Sequence, residues 1–131
     1  MAQGKLDDAL KLYRDSLAIT KRLAIGDRSR RWQRELSDSY IRIGNVMVAQ
    51  SNLDEALKAY KESAAIAEQL AAGERNNAQR QRELIASYEK VANVLMTQGR
   101  VRDALNIHRA NLAIAERLTT VGRREDLAPR S

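Results

Sequence analysis

Leu6-Asp7-Asp8-Ala9-Leu10 returns as Leu53-Asp54-Glu55-Ala56-Leu57, and again as Val101-Arg102-Asp103-Ala104-Leu105. The copies stand 47 and then 48 residues apart. A second segment recurs between them: Gln33-Arg34-Glu35-Leu36 with Ser39-Tyr40 matches Gln81-Arg82-Glu83-Leu84 with Ser87-Tyr88. Self-similarity at this period marks stacked supersecondary units, none of which can bury its apolar face alone. The chain therefore reads as an array, and arrays of this kind serve mainly as binding surfaces.

Working outward from the copies, every segment carries an apolar stripe at helical spacing. Trp32, Leu36, Tyr40, Ile43 and Met47 share one face over about 29–50, and Leu84, Tyr88, Val91 and Leu95 do so over about 77–98. The helix of about 53–72 shows Leu53, Leu57, Tyr60, Ala64, Ala67 and Leu70. Segments 6–25 and 101–121 repeat that pattern with Leu6, Tyr13 and Leu17, and with Leu105, His108 and Leu112. Asn52 followed by Glu55 suits a capping box. Asp7, Asp8, Asp54, Glu55 and Asp103 fall in expected first turns, where acids complement the helix dipole. Gly26, Gly73 and Gly122 follow Leu23, Leu70 and Leu118, where a helix end favours a left-handed residue. The spacing predicts five long antiparallel helices, an all-α stack of hairpins over residues 1–122 with a polar, disordered tail at 123–131.

The chain has 131 residues, 44% of them hydrophobic and 31% charged, which suits one packed helical domain and is too apolar for a disordered chain. No cysteine is present, so disulfides, thiolate metal sites and cysteine nucleophiles are excluded. No apolar run approaches membrane-spanning length and the start lacks a signal core, so a cytoplasmic protein without membrane contact is expected. The single histidine, His108, lies at the register position of Tyr13 and Tyr60 and is expected to pack between helices. No histidine pair, phosphate-cradling glycine loop or metal-spaced acid cluster accompanies it. The expectation is a non-enzyme with no catalytic residue, no metal and no cofactor.

The internal spacing of each unit resembles the tetratricopeptide repeat. Tyr40-x2-Ile43-Gly44-x2-Met47 followed by Ala56-x3-Tyr60 resembles that family's W-x2-L-G-x2-Y…A-x3-F pattern. Tyr88-x2-Val91-Ala92-x2-Leu95 with Ala104-x3-His108 repeats it, and Ala9-x3-Tyr13 supplies a fragment. Small residues at Gly44, Ala92, Ala9, Ala56 and Ala104 let paired helices approach closely. Two features depart from the pattern. Glu68 and Glu116 stand about where its terminal proline would fall, and the period exceeds the family's usual ~34. Helices longer by one to two turns account for both, as in repeats of the kinesin-light-chain kind. The resemblance implies an α-solenoid of half a repeat plus two full ones.

It also implies a concave groove, lined by the first helix of each unit, that takes a protein or peptide partner. Ile41, Asn45 and Val48 form one row on that face, and Glu89, Asn93 and Met96 form its counterpart. Asn45 and Asn93 match an asparagine that binds peptide backbone or a terminal carboxylate in chaperone-binding members. The clamp lysine expected four residues earlier is replaced by Ile41 and Glu89, which argues against a chaperone tail as ligand. Arg42 and Lys90 supply charge at the groove edge.

A net charge of +6 raises nucleic acid as a partner. Arg28, Arg30, Arg31 and Arg34, then Arg75, Arg80 and Arg82, then Arg117, Arg123 and Arg124 would stack into one ridge. Asp27, Glu35, Glu74, Glu83, Glu125 and Asp126 dilute it, and Trp32 suits the core better than a base-stacking platform. Nucleic-acid binding is the weakest of three readings. The first is a protein-interaction scaffold. The second is structural self-assembly or membership of a longer repeat protein. It rests on register: Met1-Ala2-Gln3-Gly4 overlays the tail of a first helix, Val48-Ala49-Gln50-Ser51. On that reading Leu6, Leu10, Tyr13 and Leu17 lose their hairpin partner and become a self-association face.

Overall fold

The computed structural model describes residues 3–27 and 29–127, with side chains as far as residue 120. Five helices follow one another: α1 (Gln3–Gly26), α2 (Arg30–Ala49), α3 (Leu53–Gly73), α4 (Ala78–Thr97) and α5 (Val101–Leu127). Each packs against the next in sequence, giving an all-α solenoid. Helix α5 continues through Gly122 to Leu127, beyond the end expected near residue 121. Residues 128–131 of the expected tail lie outside the described residues.

The hairpin turns are built alike. Asn52 N–H donates to the Met47 carbonyl at 2.8 Å and Ser51 N–H to that of Val48 at 2.9 Å; Arg100 to Leu95 and Gly99 to Met96 repeat both bonds. This satisfies the last carbonyls of α2 and α4 and demands a left-handed residue after the cap. That residue is Ser51 (φ 61°) in one hairpin and Gly99 (φ 78°) in the other. The expected left-handed glycines at Gly26, Gly73 and Gly122 all lie inside helices instead. Asn52 occupies its N-cap position without a side-chain cap bond, so no capping box forms. Asn77 caps in its place, its side chain accepting from the Gln79 and Arg80 amides at the start of α4. Asp54, Glu55 and Asp103 do fall in first turns, but α1 begins at Gln3 and leaves Asp7 and Asp8 in its second.

Close approach of small residues sets the hairpin geometry. Ala56, Ala92 and Ala104 are fully enclosed. At Gly44 the Tyr60 ring occupies the space a side chain would need: an added Cβ would lie 2.6 Å from its Cδ1. Ile43, Met47, Leu57, Tyr60, Val91 and Leu95 fill the main core, and Ala67, Ala71, Leu84 and Ile114 form a second, smaller one. Between α2 and α3, buried Ser37 donates to the Ser63 carbonyl (3.2 Å) and shares a bond with its hydroxyl (2.7 Å). Asn111, at the register position of Ser63, donates to the Ile85 carbonyl at 3.2 Å. A polar rung links successive units at one end: Gln50 donates to Asp7 (2.7 Å) and Gln98 to Asp54 (2.8 Å).

The terminal helices correct two expectations. Leu6 is buried, and Leu10, Tyr13 and Leu17 pack against the main core. They are therefore not the uncovered face of α1. The register explains why: they match Leu53, Leu57, Tyr60 and Ala64 of α3, the row that meets the following first helix, and α2 covers them. The row that a preceding hairpin partner would cover is Leu12, Ile19 and Leu23, which stand exposed. At the other end His108 is exposed rather than packed, since nothing among the described residues covers that row of α5.

Candidate functional site: the groove between α2 and α4

Helices α2 and α4 are the first helices of the two full units, and residues 48 apart on them take equivalent places. Asn45 on α2 faces Lys90 on α4. The Tyr60 ring, seated on Gly44, carries its hydroxyl to Asn45 and donates to Oδ1 at 2.6 Å. Lys90 Nζ donates to the same oxygen at 3.4 Å and stands 6.0 Å from the Tyr60 ring centroid, within cation–π range. An ammonium can only donate, so the amide oxygen must turn toward it. The Asn45 NH2 group then points away, with no hydrogen-bond partner among the described residues.

These side chains line a cavity of about 400 Å³ with Val48, Ser51, Leu53, Asn93, Val94 and Thr97. Its volume falls within the ordinary range of ligand sites. Lys90 forms no ion pair among the described residues. The groove thus offers amide donors and one uncompensated cation above aliphatic walls. Burial holds the Tyr60 hydroxyl above the ordinary tyrosine range, so it stays a neutral donor to Asn45.

Of the eight groove candidates, Asn45, Val48, Lys90 and Asn93 are brought together here. Ile41 does not line the cavity; it is half-buried and packs on the core. Arg42, Glu89 and Met96 are exposed and lie outside the lining. Tyr60 was missed as a site residue because its register position reads as pure core. The tyrosine's polar tip was the available signal.

Three arginines of the ridge are neutralised by ion pairs. Arg30 pairs with Glu74 at 3.0 Å and donates to the Gly73 carbonyl, and Arg34 pairs with Glu83 at 3.4 Å. Arg80, nearly buried, pairs with both Glu74 and Glu83. Arg31 stacks on half-buried Trp32, its guanidinium 5.2 Å from the ring centroid. Arg28 and the side chains of Arg123 and Arg124 lie outside the described residues.

The tetratricopeptide repeat pattern matches residues 1–24, 36–71 and 84–119. The chain belongs to the tetratricopeptide repeat family. This is a non-catalytic repeat scaffold family whose members generally mediate protein–protein interaction. The last two matched stretches run from within α2 to within α3, and from within α4 to within α5. Between matches fall 25–35 and 72–83, which hold the arginine-rich turns and the first turns of α2 and α4. Comparison with curated proteins and with solved structures gives no match. Among the described residues no helix is long and apolar enough to cross a membrane, and no group of three or more His, Asp or Glu could hold a metal ion.

Proposed function

We propose that this tetratricopeptide module is a non-catalytic scaffold whose α2–α4 groove binds an extended peptide segment of a protein partner. One observation carries the reading: Asn45, Asn93 and the unpaired Lys90 converge over Val48, Leu53 and Val94 in a single cavity. An extended peptide leaves its backbone carbonyls unpaired, and asparagine NH2 groups supply donors to them. Lys90 adds a preference for a carboxylate, and the aliphatic walls receive a side chain. Helices that are already packed spare the complex part of the ordering cost of binding.

The test is a pull-down from a proteome with the intact chain, beside Asn45→Ala/Asn93→Ala. The double variant is expected to lose the bound partners while keeping its helical circular dichroism. Retention of every partner overturns the groove assignment. A second reading, self-association, draws on the exposed row Leu12 (65%), Ile19 (59%) and Leu23 of α1. Light scattering across a dilution series separates the two: a monomer at micromolar concentration removes self-association and leaves the groove reading standing.

A further inference from the structure

A larger hollow, about 640 Å³, opens between α3 and α5 beside the first turns of α4. Its floor is the smaller core: Ala71, Leu84 and Ile114 are buried there, with Leu118 packed against them. Arg75, Arg82 and Arg117 also line it. The nearby arginines Arg30, Arg34 and Arg80 already hold Glu74 and Glu83, so those carboxylates are occupied. Arg75, Arg82 and Arg117 form no ion pair among the described residues. The one acid in the lining, Glu68, accepts the Tyr88 hydroxyl at 2.5 Å. Three guanidinium groups thus face one carboxylate around an aliphatic floor.

We propose that this hollow is a second binding site, for an acidic peptide segment with one aliphatic side chain. The aliphatic group would enter against Leu84 and Ile114, and anionic side chains would meet the arginines. Guanidinium forks bind planar carboxylates and phosphates through paired hydrogen bonds, and desolvation by an apolar floor strengthens such contacts. No aromatic residue lines the hollow, so it lacks the stacking platform on which a single-stranded nucleic acid would rely. Several of its residues, Arg75 and Arg82 among them, belong to the 72–83 stretch between family matches. The apolar floor and Arg117 lie within the matched repeats, so the hollow joins shared repeat surface to arginines outside it, and it shares no lining residue with the α2–α4 groove.

The experiment is an amide chemical-shift titration of the intact chain by NMR. Three probe peptides are used: Asp-Glu-Leu-Glu-Asp, the same peptide with phosphoserine at its ends, and Lys-Lys-Leu-Lys-Lys. Saturable shifts at Ala71, Leu84, Ile114 and Leu118 are expected from one or both acidic probes and not from the basic one. The tighter of the two acidic probes identifies carboxylate or phosphate as the anion. Arg82→Ser/Arg117→Ser, both at exposed positions, should retain the dispersed spectrum and weaken binding by about tenfold or more. Raising salt from about 0.05 to about 0.5 M should weaken it as well. Asn45→Ala/Asn93→Ala should leave this titration unchanged. Absence of saturable shifts, equal response to the basic probe, or shifts confined to the α2–α4 groove would each overturn the proposal.

Discussion

Helices α3 and α5 carry the same pattern 48 residues apart, yet they live in different surroundings. Leu57 is 7% exposed and its counterpart Leu105 is 47% exposed; Tyr60 is buried and His108 is open to solvent. The rows facing each helix's own hairpin partner are matched: Ala56, Ala59 and Ser63 on α3, and Ala104, Ile107 and Asn111 on α5. The contrast lies mainly in the row of Leu57 and Tyr60, which is buried on α3 and which nothing among the described residues covers on α5. In a repeat protein the apolar pattern states what a helix can bury, and its neighbours decide what it does bury.

Matched substitutions give that comparison its sharpest test. Leu57→Ala removes a buried side chain from the main core and should cost about 2–5 kcal/mol. Leu105→Ala should cost under about 1 kcal/mol, because much of its surface is already in water. Urea unfolding of the two variants measures the gap, and equal losses would mean that α5 is covered in solution. Gly44→Ala comes next. Alanine normally favours a helix interior by about 1 kcal/mol over glycine, but here the new Cβ meets the Tyr60 ring. Overpacking of this kind typically costs about 1–3 kcal/mol, so the variant should be less stable than the parent. Gly44→Ala combined with Tyr60→Ala should recover part of that loss through a negative coupling in the double-mutant cycle.

A smaller effect separates Tyr60 from His108. Tyr60→Phe should cost about 1 kcal/mol by removing the bond to Asn45, whereas His108→Tyr at its exposed site should change stability by under about 0.5 kcal/mol. The same tyrosine gives a pH signature. Burial raises the Tyr60 hydroxyl, and burial together with the Glu68 carboxylate raises that of Tyr88. Both shifts favour the neutral phenol in the folded chain. Their contribution is complete below the ordinary tyrosine value of about 10 and is lost as pH climbs through the higher folded values. Unfolding followed above that point should show falling stability, and Tyr60→Phe/Tyr88→Phe should flatten the decline.

Much of the architecture was legible because the repeat tests itself: a small residue at Gly44 and Ala92, and at Ala56 and Ala104, demands the same close approach twice. Asn45, Lys90 and Asn93 were groove candidates through the family resemblance, and the structure sets them around one cavity. Tyr60 was not, since a ring that packs and a hydroxyl that reaches Asn45 occupy one register position. The uncovered row of α1 was misassigned for a related reason. Leu6, Leu10, Tyr13 and Leu17 and the row Leu12, Ile19 and Leu23 are both apolar, and choosing between them requires knowing which side α2 takes. The second hollow depends on which arginines find glutamates across units, a pairing that sequence spacing does not specify.

The two hairpin turns give the finest comparison, because their backbones match while their residues do not. Ser51 and Gly99 both follow a cap at positive φ, and both amides close the same bond to a carbonyl three residues back. Glycine adopts that conformation freely, whereas serine crowds its Cβ against the backbone at a cost of about 1 kcal/mol. Ser51→Gly should therefore raise stability by somewhat less than about 1 kcal/mol, since the added freedom of the unfolded chain offsets part of the relief. Gly99→Ser should lower it by a similar amount. Thermal unfolding of both variants decides the point. If the two changes fail to oppose each other, the turns are not equivalent, and the α2–α3 and α4–α5 hairpins do not share one geometry.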